Sequence, residues 1–294
     1  MDNRTITAIP GVRVGHHTMT EASTGVTVVT FPTPNVGVVD VRGGGPGTRE
    51  IGVLGDATKP IPIDAIVLSG GSAFGLAAAD GVVEDLAALG RGVPTPAGPV
   101  PIVPSAIIFD LMIGDPTVRP GAPEGAAAFR ARTDAPVAMG SVGAGTGATI
   151  NKWDGTDGIV KGGVGSFAIG VDRCAVGALA VVNAVGGLVD GALYDRGNPE
   201  AGLAPRLSFG AAQNTTLVVV ATDAGIIDRN ELRRVAIRAH DALGATIVPA
   251  HTRYDGDTVF VVSAGLDRGV DVDAVAEAAF RCVAESIRLA VEHA

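Results

Sequence analysis

The chain has 294 residues, 47% of them hydrophobic and 18% charged, with a mean hydropathy of +0.36. That much apolar surface excludes an intrinsically disordered chain. Twenty-two basic against 31 acidic residues leave a formal net charge of −9, and with no basic tract to neutralise phosphates no nucleic acid or anionic membrane is expected as a partner.

Residues 1–18 are polar and hold no apolar run of the signal-peptide kind, so a cytoplasmic location is expected. Strands rich in β-branched residues are predicted over 25–30 and 65–68. A helix is predicted over 73–89, with Ser72 as its N-cap and Gly90 just past its end. Residues 92–104 carry Pro94, Pro96, Pro99, Pro101 and Pro104, which no helix tolerates, and being apolar they read as an ordered loop. The uncharged run 174–189 is too short for a ~20-residue membrane span and contains Asn183.

A strand over 216–222 follows. The next helix starts after Asp228, where Asp228 and Glu231 form a capping-box-like pair, and Gly244 is expected to stop it. A strand over 259–263 and a helix from 273 to about 291 complete a strand–helix–strand–helix pattern. No repeat or linker breaks the sequence, so 1–294 is read as one α/β (α+β) domain. With 42 glycines and only 4% aromatics, its layers should stack closely.

Three glycine-rich stretches invite a phosphate-loop reading: 43–50, Gly143-Ala144-Gly145-Thr146-Gly147 and Lys161-Gly162-Gly163-Val164-Gly165-Ser166. None fits. A P-loop needs Gly-Lys-Ser/Thr opening a helix, whereas Lys161 precedes its glycines, and 143–147 lacks the dinucleotide spacing. Tight turns and close backbone packing are the plainer reading. Ser72 lacks the G-x-S-x-G spacing of a nucleophile elbow. The five histidines form no H-x-x-x-H, and His16-His17 point to opposite sides of an extended chain. Cys174 and Cys282 have no metal-like spacing; buried free thiols are the favoured reading and one long-range disulfide the alternative. No metal and no cofactor is therefore expected, and a hydrolase here would need a general base other than histidine.

Asn214-Thr215-Thr216 heads a strand apolar enough to be buried on both faces. One reading is a plain strand start. The other is self-cleavage at Asn214–Thr215: the Thr215 hydroxyl attacks the preceding carbonyl of a strained peptide bond, and the resulting ester hydrolyses. That frees a Thr215 α-amine with a pKa of about 7.7–8.0, able to act as general base for its own hydroxyl. Asp255-Gly256-Asp257 reads as a hairpin or strand-entry turn; a calcium loop would need further oxygen ligands and a Glu at the twelfth position. Asn183 is either a buried amide with satisfied hydrogen bonds or an oxyanion donor.

Pro10-Gly11-Val12-Arg13-Val14-Gly15-His16, Arg42-Gly43-Gly44-Gly45-Pro46-Gly47-Thr48-Arg49-Glu50, Ser69-Gly70-Gly71-Ser72-Ala73-Phe74-Gly75-Leu76, and the two further glycine motifs at 143–147 and 161–165 together resemble the DmpA family. This family holds L-aminopeptidase/D-esterases, β-peptidyl aminopeptidases and nylon-oligomer hydrolases. The motifs run in the family's order over nearly the whole chain. The resemblance implies a four-layer αββα sandwich, self-processing into 1–214 and 215–294, a small amide or peptide substrate, no metal, and a homo-oligomer of four processed heterodimers. Asn214-Thr215 and Asp255-Gly256-Asp257 look like the nylon-oligomer hydrolase branch, where aminopeptidases have a Ser nucleophile and a Ser/Glu pair. The resemblance makes Thr215 the nucleophile, Asn183 the oxyanion Asn and Lys152 the active-site lysine, with Lys161 as the alternative. Asp255 and Asp257 would orient the nucleophile.

Overall fold

The computed structural model describes residues 2–55, 57–189, 214–267 and 269–294. Ten strands build two five-stranded sheets. In chain order they are β1 (Arg13–Met19), β2 (Thr24–Thr30), β3 (Val36–Val41), β4 (Thr48–Arg49), β5 (Ala65–Ser69), β6 (Ser105–Ile107), β7 (Val164–Val171), β8 (Cys174–Asn183), β9 (Thr215–Ala224) and β10 (Thr258–Asp267). The first sheet has the order β1-β2-β5-β6-β4 and the second β3-β10-β9-β8-β7. The α-helices among the described residues are α1 (Ala78–Ala88), α2 (Ala122–Arg130), α3 (Arg229–Thr246) and α4 (Val272–Glu292).

Strand alternation sorts the side chains into layers. Val26 and Val28 of β2, with Ala65 and Val67 of β5, pack under α1 and α2 against Ala78, Val82, Leu86 and Phe129. Their neighbours Val29, Ile66 and Leu68 point the other way, onto Leu179, Leu217, Val219 and Phe260 of the second sheet. On that sheet's outer face Ala178, Ala180, Val218, Val220 and Val261 meet α3 and α4 through residues such as Leu232, Val235, Val283 and Ile287. The result is the four-layer αββα sandwich. Burial on both faces explains why apolar residues stand at adjacent positions along these strands instead of alternating with polar ones.

The C-terminal strand–helix–strand–helix pattern is observed as β9-α3-β10-α4. The Asp228 carboxylate caps α3 by accepting the Asn230 N–H at 2.8 Å. The helix does not stop at Gly244 but runs to Thr246, because glycine in mid-helix costs only about 1 kcal/mol against a well-buried face. α4 begins one residue earlier than expected, where Asp271 accepts the N–H groups of Asp273 and Ala274. The predicted helix over 73–89 opens instead as a 3₁₀ segment, Ser72–Ala77, before α1. Ser72 makes no side-chain cap; its φ is +55°. Gly90 does end the helix, with φ +69°. The uncharged run from residue 174 is the strand β8, and residues 92–104 form a loop bridged between Val93 and Val100. Residues 207–213, polar and loop-like in sequence, lie outside the described residues. No helix among those described is long and apolar enough to cross a membrane.

Pairing in the second sheet fixes the start of β9. β9 runs parallel to β10 with Leu217 opposite Thr258, and antiparallel to β8 with Thr215 opposite Asn183. Thr215 therefore lies between the end of β8 and the turn leading into β10. Phe260 is fully buried between the sheets, so Phe260→Ala should cost about 3–5 kcal/mol. Chemical denaturation would show this as a lowered midpoint with little change in slope.

Candidate active site

Thr215, Asn214, Asn183, Lys152, Asp255 and Asp257 are all buried, and the structure brings all six to the start of β9. The backbone places them. Asn214 N–H donates to Tyr254 O at 2.8 Å, and Gly256 N–H donates to Asn214 O at 2.7 Å. The Thr215 hydroxyl donates to that same Asn214 oxygen. One carbonyl, the one preceding Thr215, thus carries both the hydroxyl and a backbone donor. Thr215 does not have a positive φ, and what distinguishes this peptide is the proximity of those two groups.

Lys152 Nζ donates to Asn214 Oδ1 at 2.7 Å and to Asn183 Oδ1 at 3.0 Å. Asn183 Oδ1 also accepts the Thr149 N–H at 3.0 Å, and its amide nitrogen donates to Phe109 O at 3.0 Å. The buried amide is therefore hydrogen-bonded at both ends. Lys161 is directed elsewhere, donating to Thr146 O at 2.6 Å. Burial lowers the Lys152 pKa to about 7, although the Asp255 charge opposes the shift.

The carboxylates hold backbone rather than the hydroxyl. Asp257 Oδ1 accepts the Thr216 N–H at 2.7 Å, one residue past the hydroxyl. Asp255 accepts Val185 N–H at 3.2 Å through one oxygen, and Thr252 N–H and Oγ1–H at 3.1 and 2.7 Å through the other. Burial, helped by the neighbouring Asp257 charge, raises the Asp255 pKa to about 6. Asp257 Oδ2 has a partner that the sequence reading passed over: His251 donates its backbone N–H at 3.0 Å and approaches with Nδ1 at 2.8 Å. Burial alone would lower the His251 pKa, but hydrogen bonding and charge from Asp257 outweigh it and the pKa rises. The edge of the His251 ring meets His240 at 4.9 Å between centroids.

The first glycine motif clamps the Asp255–Asp257 turn. Arg42 and Gly43 N–H groups donate to Asp257 O at 3.0 and 3.3 Å, and Gly45 N–H donates to Asp255 O at 2.8 Å. These donors are committed within the fold, as the packing reading of the glycines expects. A Cβ on Gly43 would lie 2.3 Å from both Asp255 O and Asp257 N. One on Gly256 would lie 2.7 Å from Thr215 Oγ1.

Asn214 and Thr215 open onto a cavity of about 340 Å³, walled by Gly45, Pro46, Ser72, Phe109, Arg253 and Tyr254 among others. Ser72 is thus a wall residue. Its turn is set by buried Asp110, which accepts Gly71 N–H and Thr24 Oγ1–H, each at 2.7 Å. Among the described residues no group of three or more His, Cys, Asp or Glu side chains could hold a metal ion. Cys174 and Cys282 are both buried, and no disulfide joins them.

The family model for Peptidase family S58 matches residues 4–294. The chain belongs to Peptidase family S58. It is accordingly a hydrolase of peptide or amide bonds. Among curated members, an aminopeptidase of Mycobacterium leprae is 45% identical over 88% of this chain and 78% of its own. The 6-aminohexanoate-oligomer endohydrolase of Paenarthrobacter ureafaciens is 31% identical over 86% of this chain and 73% of its own. The solved L-aminopeptidase D-Ala-esterase/amidase of Ochrobactrum anthropi superposes with a TM-score of 0.75 at 21% identity, covering 97% of this chain and 84% of the other. It is described as a variant of the Ntn hydrolase fold, and this S58 chain shares that fold.

Sequence reasoning missed the Gly256 N–H and His251. A glycine between two aspartates looks like an ordinary turn, and a backbone donor has no residue signature. Gly256→Ala tests this geometry. The added methyl meets Thr215 Oγ1 and, at 3.0 Å, Gly45 O, so any chemistry performed by the Thr215 hydroxyl should fall by at least the ~10²–10³-fold typical of a lost oxyanion donor. The far-UV circular dichroism should stay that of the wild type.

Proposed function

We propose that this S58 hydrolase activates itself by cleaving Asn214–Thr215 and then uses Thr215 as an N-terminal nucleophile on small peptides or linear oligoamides. The observation that carries this reading is the Thr215 hydroxyl and the Gly256 N–H meeting on the Asn214 carbonyl oxygen. Attack of Oγ1 on the carbonyl carbon puts negative charge on the oxygen that Gly256 already serves, and the proton lost by Oγ1 passes to the Thr215 nitrogen. Collapse breaks the C–N bond, leaving an Asn214 ester and a free Thr215 amine. Water then hydrolyses the ester, giving fragments 1–214 and 215–294.

In turnover the Thr215 amine takes the hydroxyl proton and passes it to the leaving amine. Lys152, within hydrogen-bond distance of Asn214 and Asn183, stabilises the oxyanion and depresses the amine pKa while charged. Asn183 keeps Lys152 in place and is assigned the amide donor to the substrate oxyanion. Asp257 positions the nucleophile through Thr216, and Asp255 does so through the turns on either side. A second reading, an aminopeptidase releasing N-terminal residues, is favoured by the aminopeptidase name of the Mycobacterium leprae relative. Assembly as four processed heterodimers and a cytoplasmic location belong to the same proposal.

Mass spectrometry of the purified protein should show two fragments. Thr215→Ala should stay intact and inactive, since one hydroxyl performs both attacks; a Thr215→Ala chain that still splits at Asn214 would refute the nucleophile.

A pH profile probes the base. Only the neutral amine accepts a proton, so kcat/KM should fall as pH drops through an apparent pKa at or below the free-amine value of about 7.7–8.0. Lys152→Met removes the neighbouring positive charge and should move that acid limb to higher pH. A limb that stays in place or moves lower would separate Lys152 from the amine.

A further inference from the structure

The described lining of the cavity beside Thr215 carries one sign of charge. Of the described residues that line it, Arg253 is the only charged one, and no Asp or Glu side chain faces into it. This stands out in a chain with 31 acidic residues and a net charge of −9. Arg253 makes no ion pair with any described carboxylate; its guanidinium lies 4.7 Å from the Tyr254 ring centroid. Among the described residues, the hydrogen bond of its guanidinium runs from Nη2 to the Tyr254 hydroxyl at 2.5 Å. That leaves Nε and Nη1 without a hydrogen bond to a described residue. A guanidinium edge of this kind can take a carboxylate through two parallel hydrogen bonds.

The position is close to the chemistry. Arg253 directly precedes Tyr254, whose carbonyl holds the Asn214 N–H at 2.8 Å. A ligand group on Arg253 therefore lies within one small substrate of the carbonyl facing Thr215. A cavity of about 340 Å³ is at the lower end of the ~300–1,000 Å³ span of small-molecule sites.

We propose that Arg253 receives a free carboxylate of the substrate, so that this hydrolase acts on amides bearing a carboxylate near the scissile bond, such as amido acids or the carboxyl ends of short peptides. The proposal rests on Thr215 being the reacting hydroxyl. Substrates recognised through a free ammonium are disfavoured, because Arg253 repels that group.

The test measures binding, so it does not depend on turnover. N-acetylglycine, N-acetylglycinamide and glycinamide are titrated at low salt into the wild-type protein, Arg253→Gln and Arg253→Lys, with ligand-observed NMR as readout. Arg253 is exposed, so both variants should keep the wild-type melting temperature. N-acetylglycine should bind wild type about 10- to 100-fold more tightly than its amide, the worth of a charged hydrogen-bond pair. Arg253→Gln should erase the difference and Arg253→Lys keep part of it. Equal binding of acid and amide, tighter binding of glycinamide, or an acid preference that survives Arg253→Gln would each overturn the proposal. Failure of the Thr215 reading looks different: an unsplit chain without amidase activity, whatever it binds.

Discussion

The site depends on the parallel pairing of β9 with β10. Two parallel strands begin side by side, so the approach to one lies against the first residue of the other. Asn214 is held on both sides by that approach, its N–H on Tyr254 O and its C=O on Gly256 N–H. Backbone hydrogen bonds fix the carbonyl, and the side chains are arranged around an already immobile peptide. Preorganisation of this kind is the main source of catalytic electrostatics, because donors that are already in place cost nothing to reorganise. The antiparallel neighbour β8 ends opposite Thr215 at Asn183, closing the other flank.

That frame has to support an unfavourable set of charges. Below pH ~7 the buried Lys152 ammonium is penalised by burial, as its lowered pKa shows. Above pH ~6 the Asp255 carboxylate is penalised for the same reason. At neutral pH both penalties act together, offset in part by their attraction and by hydrogen bonds from Thr252 and Val185. A polar cluster of this kind persists only where the surrounding core over-determines the structure. Here the core is two sheets with nearly unbroken apolar strands on three sides.

How much of this was legible follows from where the information resides. The C-terminal β9-α3-β10-α4 unit was readable because hydrophobic period, the Asp228 cap and β-branched runs agree there. α2 was not: Ala122–Arg130 is alanine-rich and short, opens with Pro at its first turn, and shows no long apolar stripe. β1 escaped because Arg13–Met19 mixes glycine, histidines and threonine and is stabilised by pairing with β2 instead of by its own pattern. The side chains named for the site come together, yet their partners were not foreseeable. That Asp257 reaches Thr216 and not the hydroxyl depends on a register between strands more than 40 residues apart, which no local spacing encodes. The turn at Ser72 shows the same limit. A serine before a helix reads as a cap, but buried Asp110 pulls Gly71 and Thr24 together and turns Ser72 into the cavity wall.

The proposed self-cleavage would also constrain the site that acts on substrates. In that proposal Asn214 occupies the acyl position, so the protein's own peptide is the first ligand of the donors that later substrates must use. Gly256 has to serve both, and it can do so only without a side chain, since a Cβ there would press on Thr215 Oγ1. The glycines at 43 and 256 are therefore coupled: the first lets the Arg42–Gly45 segment lie flat on the Asp255–Asp257 turn, and the second leaves room for the hydroxyl that the turn faces. Loosening either would move the Gly256 N–H relative to the carbonyl. Self-cleavage and turnover would then change together, because one backbone donor and one hydroxyl are common to both.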